Sequence, residues 1–251
     1  MACMVADPPR PPPPPIDGRQ ALFLDVDGTL LEFAAHPDAV RVPAPLRDTL
    51  ARLHRRLAGA VALVSGRPLE VLDALFEPLH LPAAGLHGLE LRNGGPPRPA
   101  PEPGAELAAV LERAGAFAAQ RPGTVVEDKG SSIGLHWRSA PEYADDMQRF
   151  ATQALEQLPG HCLQLGKQVA ELRPRGADKG DAIATLMQQP PFRGRHAVFA
   201  GDDLTDEHGF EVVNASGGTS VLVGDREPSA ATHRLDNTRA VLDWLQQGAN
   251  A

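Results

Sequence analysis

The run Ala21-Leu22-Phe23-Leu24 ends directly on Asp25-Val26-Asp27-Gly28-Thr29, and few folds accept such a junction. An apolar tetrad with no polar face has to be buried on both sides, as strands of parallel sheets are. Its carboxyl end then opens into a loop, the place where open α/β sheets bind ligands. One residue separates Asp25 from Asp27, so an extended backbone turns both to the same side, where they can share one cation or crowd each other's charge. An acidic turn that merely caps the next helix would carry the same residues, so other segments have to decide.

The same plan recurs along the chain. Leu46, Leu50, Leu53 and Leu57 repeat at helical spacing over residues 45–57, and the apolar run 60–64 then stops at Ser65-Gly66-Arg67-Pro68. Pro68 can open a helix with Leu69, Leu72, Leu75 and Phe76 inward. A third apolar stretch, 81–86, leads into Gly85-Leu86-His87-Gly88-Leu89-Glu90, and Asn93-Gly94-Gly95 turns the chain. After residue 174 the rhythm resumes with a helix opening near Asp178-Lys179, and the strand 196–200 runs into Gly201-Asp202-Asp203-Leu204-Thr205-Asp206. A last core strand over 219–223 and a closing helix over 239–246 follow. This alternation predicts an α/β fold, a doubly wound and mainly parallel sheet.

Between these halves the rhythm changes. Residues 96–104 are rich in proline and small residues, as a linker would be. Residues 105–173 read as helix, hairpin, helix and further strands, an α+β plan with an antiparallel sheet. The expected organisation is a proline-rich, disordered leader over 1–19, core over 20–104, an inserted cap over 105–173 and core again over 174–247, with Gly104 and Pro174 flanking the hinges.

Composition removes several classes of function. A formal charge of -8 with no basic stripe argues against nucleic acid as a partner. Cys3 and Cys162 are the only cysteines, so no disulfide framework is implied and a reducing, cytoplasmic setting is expected. No apolar run is long enough for a membrane span. Nothing in the sequence fixes an oligomeric state; a monomer acting on a small-molecule substrate is the simplest expectation.

If the sheet is parallel, its strand ends and the helix starts beside them bring together Asp25, Asp27, Ser65, Lys179, Asp202, Asp203 and Asp206. Acids with one hydroxyl and one ammonium suit a phosphate held on a hard cation such as Mg2+. With phosphoryl charge screened by Lys179, Ser65 and loop amides such as that of Gly66, a carboxylate can attack phosphorus and form an aspartyl-phosphate.

In this order and combination the motifs resemble those of the haloacid-dehalogenase-like (HAD) phosphatases. The resemblance implies that Asp25 is nucleophile and metal ligand, and that Asp27 is acid and base with its carbonyl on the metal. It further implies that Ser65 and Lys179 bind phosphate and that Asp202 ligates Mg2+ with Asp206 close behind. Asp203 could exchange roles with one of these acids.

The segments Gly85-Leu86-His87-Gly88-Leu89-Glu90, Val126-Glu127-Asp128-Lys129-Gly130, Leu135-His136-Trp137-Arg138 and 166–174 resemble, more narrowly, the trehalose-6-phosphate phosphatases, over roughly residues 20–245. That family implies trehalose 6-phosphate as substrate. By the period of two, Glu127 and Lys129 share one strand face, and Lys167, Glu171 and Arg173 another. Such charges are either solvated edge residues or groups that hydrogen-bond sugar hydroxyls. Arg67, His87, Glu127, Lys129, Lys167 and Glu171 are therefore the substrate-binding candidates, although His87 and His136 also suit a structural role and Trp137 suits the cap core.

Three rival readings remain. One is a related capped phosphatase for sucrose phosphate or mannosyl phosphoglycerate. The others are a phosphoacceptor signalling domain and a silent scaffold. Asp27, two residues after the acceptor, and the inserted cap argue against the signalling domain, and the filled catalytic positions argue against the scaffold.

Overall fold

The computed structural model describes residues 10–33 and 40–251. Strands β1 (Gln20–Leu24) and β2 (Val61–Val64) are buried at every residue, as their unbroken apolar runs require. They join β3 (Ala83–Gly85), β4 (Glu90–Arg92), β9 (His196–Gly201), β10 (Thr219–Val223) and β11 (His233–Leu235) in one sheet of order β11-β10-β9-β1-β2-β3-β4. All pairings are parallel except β3 with β4. Helices α1 (Ala44–Arg56) and α7 (Thr238–Asn250) pack on each other, as do α5 (Lys179–Met187) and α6 (Glu207–Ala215), and α2 (Leu69–Phe76) packs beside β3.

Register sets the site. Leu24 pairs with Leu63 of β2 and with Ala200 of β9, so the three central strands end level. Asp25, Ser65 and Asp202 therefore leave the sheet side by side, and the Asp25 amide still donates to Ala200 O at 2.9 Å.

The segment with the different rhythm forms its own sheet. Strands β5 (Val125–Asp128), β6 (Ile133–His136), β7 (His161–Gly166) and β8 (Val169–Pro174) pair antiparallel in the order β5-β6-β8-β7. Helices α3 (Ala105–Ala118) and α4 (Ala144–Leu155) bury Leu107, Val110 and Met147 against Ile133, Leu135 and Leu172 of this sheet and Trp137 just after β6, a core separate from that of the large sheet. The opposite alternation places Glu127, Gly134, Glu171 and Gln164 in one row of register partners across the strands.

Several details depart from the sequence expectations. The third strand is shorter than 81–86 because Leu86 and His87 adopt left-handed backbone angles (φ 48° and 55°) and turn the chain into the antiparallel β4 before the cap begins. Helix α6 and strand β11 have no counterpart among those expectations. The inner face of α6 carries only Gly209, Phe210 and Val213, and a Cβ on Gly209 would lie 2.5 Å from the Phe199 ring, so close backbone approach replaces the usual apolar stripe. Lys167 does not share a strand face with Glu171, since it sits with Gln168 (φ 66°) in the turn joining β7 to β8.

The leader also needs correction over residues 10–19, which lie against the core. Trp244 Nε1 donates to Pro14 O at 3.0 Å, Arg234 N donates to Pro11 O at 3.0 Å, and Ile16 is buried beside Gly248. Residues 1–9 fall outside the described part of the chain.

Candidate active site

Lys179, the first residue of α5, is buried between two acids and donates to Asp25 Oδ1 and Asp206 Oδ1, each at 2.7 Å. Burial alone would push its ammonium toward neutrality, but Asp206 and Asp25 outweigh that and hold it above the ordinary lysine range. The other oxygen of Asp206 accepts from the amides of Asp202 and Asp203, both at 3.0 Å, so this wholly buried carboxylate fixes the turn that follows β9.

Two oxygens of the acidic cluster are left over. Asp25 Oδ2 and Asp202 Oδ1 are buried without a hydrogen-bond partner, and carboxylate oxygens of Asp25, Asp202 and Asp206 lie within 4.8 Å of one another. Burial pushes Asp25 up to about 7, against the pull of the Lys179 ammonium and with smaller help from the Asp206 and Asp27 carboxylates. Burial and the carboxylates of Asp25 and Asp206 push Asp202 up to about 9. Desolvated oxygens crowded together and satisfied by no donor fit a hard, oxygen-seeking metal ion. Of the three acids, Asp206 has both oxygens already engaged.

Beside this cluster lies Asp27, gripped by Arg67 through Nε to Oδ2 and Nη2 to Oδ1, both 2.7 Å. The Arg67 amide donates to Ser65 Oγ at 3.1 Å, which leaves the Ser65 hydroxyl hydrogen for another acceptor. Gly66 has no room for a side chain, since a Cβ there would lie 2.5 Å from His87 Nε2.

The cap supplies the opposite wall. Glu171 accepts from Lys129 Nζ at 2.8 Å and Ser132 Oγ at 3.0 Å, and its Oε2 lies 3.1 Å from His87 Nε2. Burial would raise the Glu171 carboxyl, yet Lys129 and His87 hold it well below the usual carboxylate range. Glu127 pairs with His136 Nε2 at 2.8 Å, and Lys129 also donates to Gly66 O at 3.1 Å, tying cap to core. Lys167 enters through its backbone amide, 3.1 Å from Asp203 Oδ2, while its ammonium stands 5.5 Å from the centroid of the Phe33 ring.

One cavity is lined by Asp25, Asp27, Ser65, Gly66, Arg67, His87, Glu127, Lys129, Lys167, Glu171, Lys179 and Asp202. Among the candidates only Asp206 stands behind its wall, where it holds Lys179 and the Asp202–Asp203 turn. Sequence reasoning missed Gln164 and Arg138, which also line the cavity. Gln164 Nε2 lies 3.2 Å from His87 Nδ1, and the Arg138 guanidinium stacks 4.1 Å from the Phe33 centroid. Strand register was the one signal for Gln164, which pairs with Glu171. Arg173 points elsewhere, toward Gln164 Oε1 and Ala177 O.

A mainly parallel sheet with acids at the ends of β1 and β9, a buried lysine between them and a small antiparallel cap above define an enzyme of the HAD-like class, a phosphoric monoester hydrolase. The sequence narrows that class: a family model for trehalose-phosphatase matches residues 23–239, and the chain belongs to that family. Trehalose-6-phosphate phosphatase from Escherichia coli is 42% identical over 234 residues, 93% of this chain and 88% of that protein. A probable trehalose-phosphate phosphatase from Sinorhizobium fredii is 44% identical over 212 residues, 84% and 80% of the two chains. Among solved structures, the C-terminal domain of Candida albicans trehalose-6-phosphate phosphatase matches the fold with a TM-score of 0.83 at 20% identity, over 93% of this chain and 92% of that one.

Proposed function

We propose that this protein hydrolyses trehalose 6-phosphate to trehalose and inorganic phosphate with Mg2+ as its metal ion, as a single cytoplasmic chain. The observation that carries the reading is the facing of two unlike walls across one cavity. The acids and Lys179 below are suited to a phosphoryl group, and Glu127, Lys129, Glu171 and Gln164 above are suited to sugar hydroxyls. The names of the two relatives above point to the same substrate. Among the described residues, no helix is long and apolar enough to cross a membrane.

Asp25 attacks phosphorus while the bond from phosphorus to the sugar oxygen breaks, and Asp27 gives that oxygen its proton. Water then attacks the aspartyl-phosphate, giving a proton to Asp27, and Asp25 is released with inorganic phosphate. Asp25, Asp202 and the Asp27 carbonyl would hold Mg2+, which neutralises phosphoryl charge when bound. Ser65 donates its free hydroxyl hydrogen to a phosphoryl oxygen, and Lys179 supplies positive charge from below. Arg67 acts through Asp27, keeping that carboxylate aimed, rather than as a direct substrate contact. Residues 105–173 act as a cap that selects the sugar and excludes water while the acyl phosphate forms.

Phosphate release from trehalose 6-phosphate, sucrose 6-phosphate and mannosyl-3-phosphoglycerate, with and without Mg2+, tests this. Trehalose 6-phosphate with Mg2+ is expected to lead by about a hundredfold or more in kcat/KM, as buried polar groups reject an ill-matched sugar. An equal or greater rate on another phosphate would overturn the substrate assignment, and full activity after chelation would overturn the metal.

A further inference from the structure

The turn after β9 is gripped on both sides, and one grip comes from a loop that the proposed chemistry does not use. On the inner side Asp206 accepts from the amides of Asp202 and Asp203. On the outer side lies Arg226, in the loop between β10 and β11, with Nε 3.4 Å from Asp202 O and Nη2 3.3 Å from Asp203 O. The peptide joining Asp202 to Asp203 thus has its N–H held by a carboxylate and its carbonyl by a guanidinium. Its rotation, which aims the unsatisfied Asp202 Oδ1, is fixed from both ends.

Arg226 is itself tied down. It pairs with Glu207 at the start of α6 and donates to Pro228 O at 2.8 Å, while the second Glu207 oxygen accepts from Ala230 N at 2.7 Å. The far side of the same loop is clasped by Arg10 from the leader. Arg10 Nε donates to Ala231 O at 2.6 Å, Nη2 donates to Ser229 O at 2.7 Å, and the guanidinium pairs with Glu227. A continuous run of contacts therefore joins residue 10 to the acidic turn, through groups that touch neither the cavity nor the reacting atoms.

We propose that Arg226, braced by Arg10, is a positioning residue for the Asp202–Asp203 turn and sets how tightly the acidic cluster holds its metal ion. This rests on the reading that Asp25 and Asp202 hold Mg2+. Groups that orient metal-binding side chains from behind are worth about 10- to 100-fold in metal affinity. A Lys at position 226 would keep a charge for Glu207 but not the planar fork that spans two carbonyls.

Magnesium binding to the full chain, measured by titration calorimetry without substrate, tests the proposal, alongside thermal unfolding of each variant. Arg226→Ala is expected to weaken Mg2+ binding about tenfold, Arg226→Lys less, and Arg10→Ala by a few fold. The Arg10→Ala/Arg226→Ala pair should bind no worse than Arg226→Ala alone, because the brace acts only through the residue it braces. With substrate present, Arg10→Ala should raise the Mg2+ concentration for half-maximal rate while leaving kcat at saturating Mg2+ in place. Parent-like Mg2+ binding in folded Arg226→Ala, or in Arg226→Lys and Arg10→Ala where the alanine variant does not fold, overturns the proposal, and so does additive weakening in the pair. A parent protein that binds no Mg2+ removes the metal reading itself, an outcome distinct from variants that bind as the parent does.

Discussion

Arg67 and Asp27 stand 40 positions apart at the ends of different strands, yet guanidinium meets carboxylate through two bonds of 2.7 Å. In the proposed mechanism this fork holds the acid that protonates the departing sugar oxygen. Asp27→Asn should lower trehalose 6-phosphate turnover by about 10²- to 10⁴-fold, the usual worth of a general acid and base. Arg67→Ala should cost part of that. With p-nitrophenyl phosphate the leaving group needs no proton, so Asp27→Asn should still release about one equivalent of nitrophenol rapidly and then stall at the acyl phosphate. Rapid-quench measurement decides the matter: equal first-step losses on both substrates would sink the assignment of Asp27 as acid.

On the proposed reading Glu171 faces the sugar. Its carboxylate is held by Lys129, Ser132 and His87, so it meets substrate already oriented. Glu171→Gln keeps the shape but exposes Lys129 to a weaker partner, and should reduce kcat/KM for trehalose 6-phosphate by roughly 10²-fold or more. Hydrolysis of p-nitrophenyl phosphate, which has no sugar to recognise, should change by less than about threefold. Parallel losses on the two substrates would show that Glu171 serves the phosphate site or the fold instead.

Much of this site was legible because its groups follow apolar runs. Strands buried on both faces betray themselves by composition, and the residue just past each one must lie at a sheet edge, which located Asp25, Ser65 and Asp202. The partners of those groups were hidden. Nothing local links Arg67 to Asp27 or Lys129 to Gly66, because the pairings exist only once β1, β2 and the cap are assembled. Periodicity failed where its premise failed: Lys167 lies in a turn rather than a strand, and α6 packs through Gly209 rather than an apolar stripe. The prolines of the leader do bar helix and sheet hydrogen bonding as donors. They keep their carbonyls, and Pro11 and Pro14 dock through those.

His87 gives the fold a defined response to acid. Burial, the largest influence, together with nearby Lys179 and Lys129, lowers its pKa below the ordinary histidine value of 6.5 despite the pull of Glu171. A group depressed in the folded state costs nothing above its unfolded value. As pH falls below 6.5 the unfolded chain takes up the proton first, so stability declines until the folded pKa is passed. The slope from one such group is at most about 1.4 kcal/mol per pH unit. His54, His161 and His233 are lowered by burial as well, so His87→Gln should reduce the fall in Tm between about pH 6.5 and 5.5 without abolishing it. Glu171, held below the usual carboxylate range, titrates below this window. A Tm profile identical to the parent's would mean that His87 does not titrate differently in the two states.

Gly28 is the position where one methyl group should separate folding from chemistry. Its φ of 92° lies in the left-handed region, and a Cβ there would stand 2.2 Å from Asp202 Oδ2 and 2.4 Å from its Cγ. The backbone strain of Gly28→Ala should cost about 1 to 2 kcal/mol of stability, which the large sheet can absorb. The collision is a different matter, because the three nearest atoms all belong to the Asp202 carboxylate. Swinging it aside removes one of the two unsatisfied oxygens from the acidic cluster. Gly28→Ala is therefore expected to remain folded, to lose Mg2+ affinity by about 10²-fold or more, and to lose phosphatase activity at millimolar Mg2+. Circular dichroism establishes the fold and calorimetric Mg2+ titration reads the site. A folded Gly28→Ala protein with parent-like Mg2+ binding would show that the Asp202 carboxylate is not needed where the structure puts it.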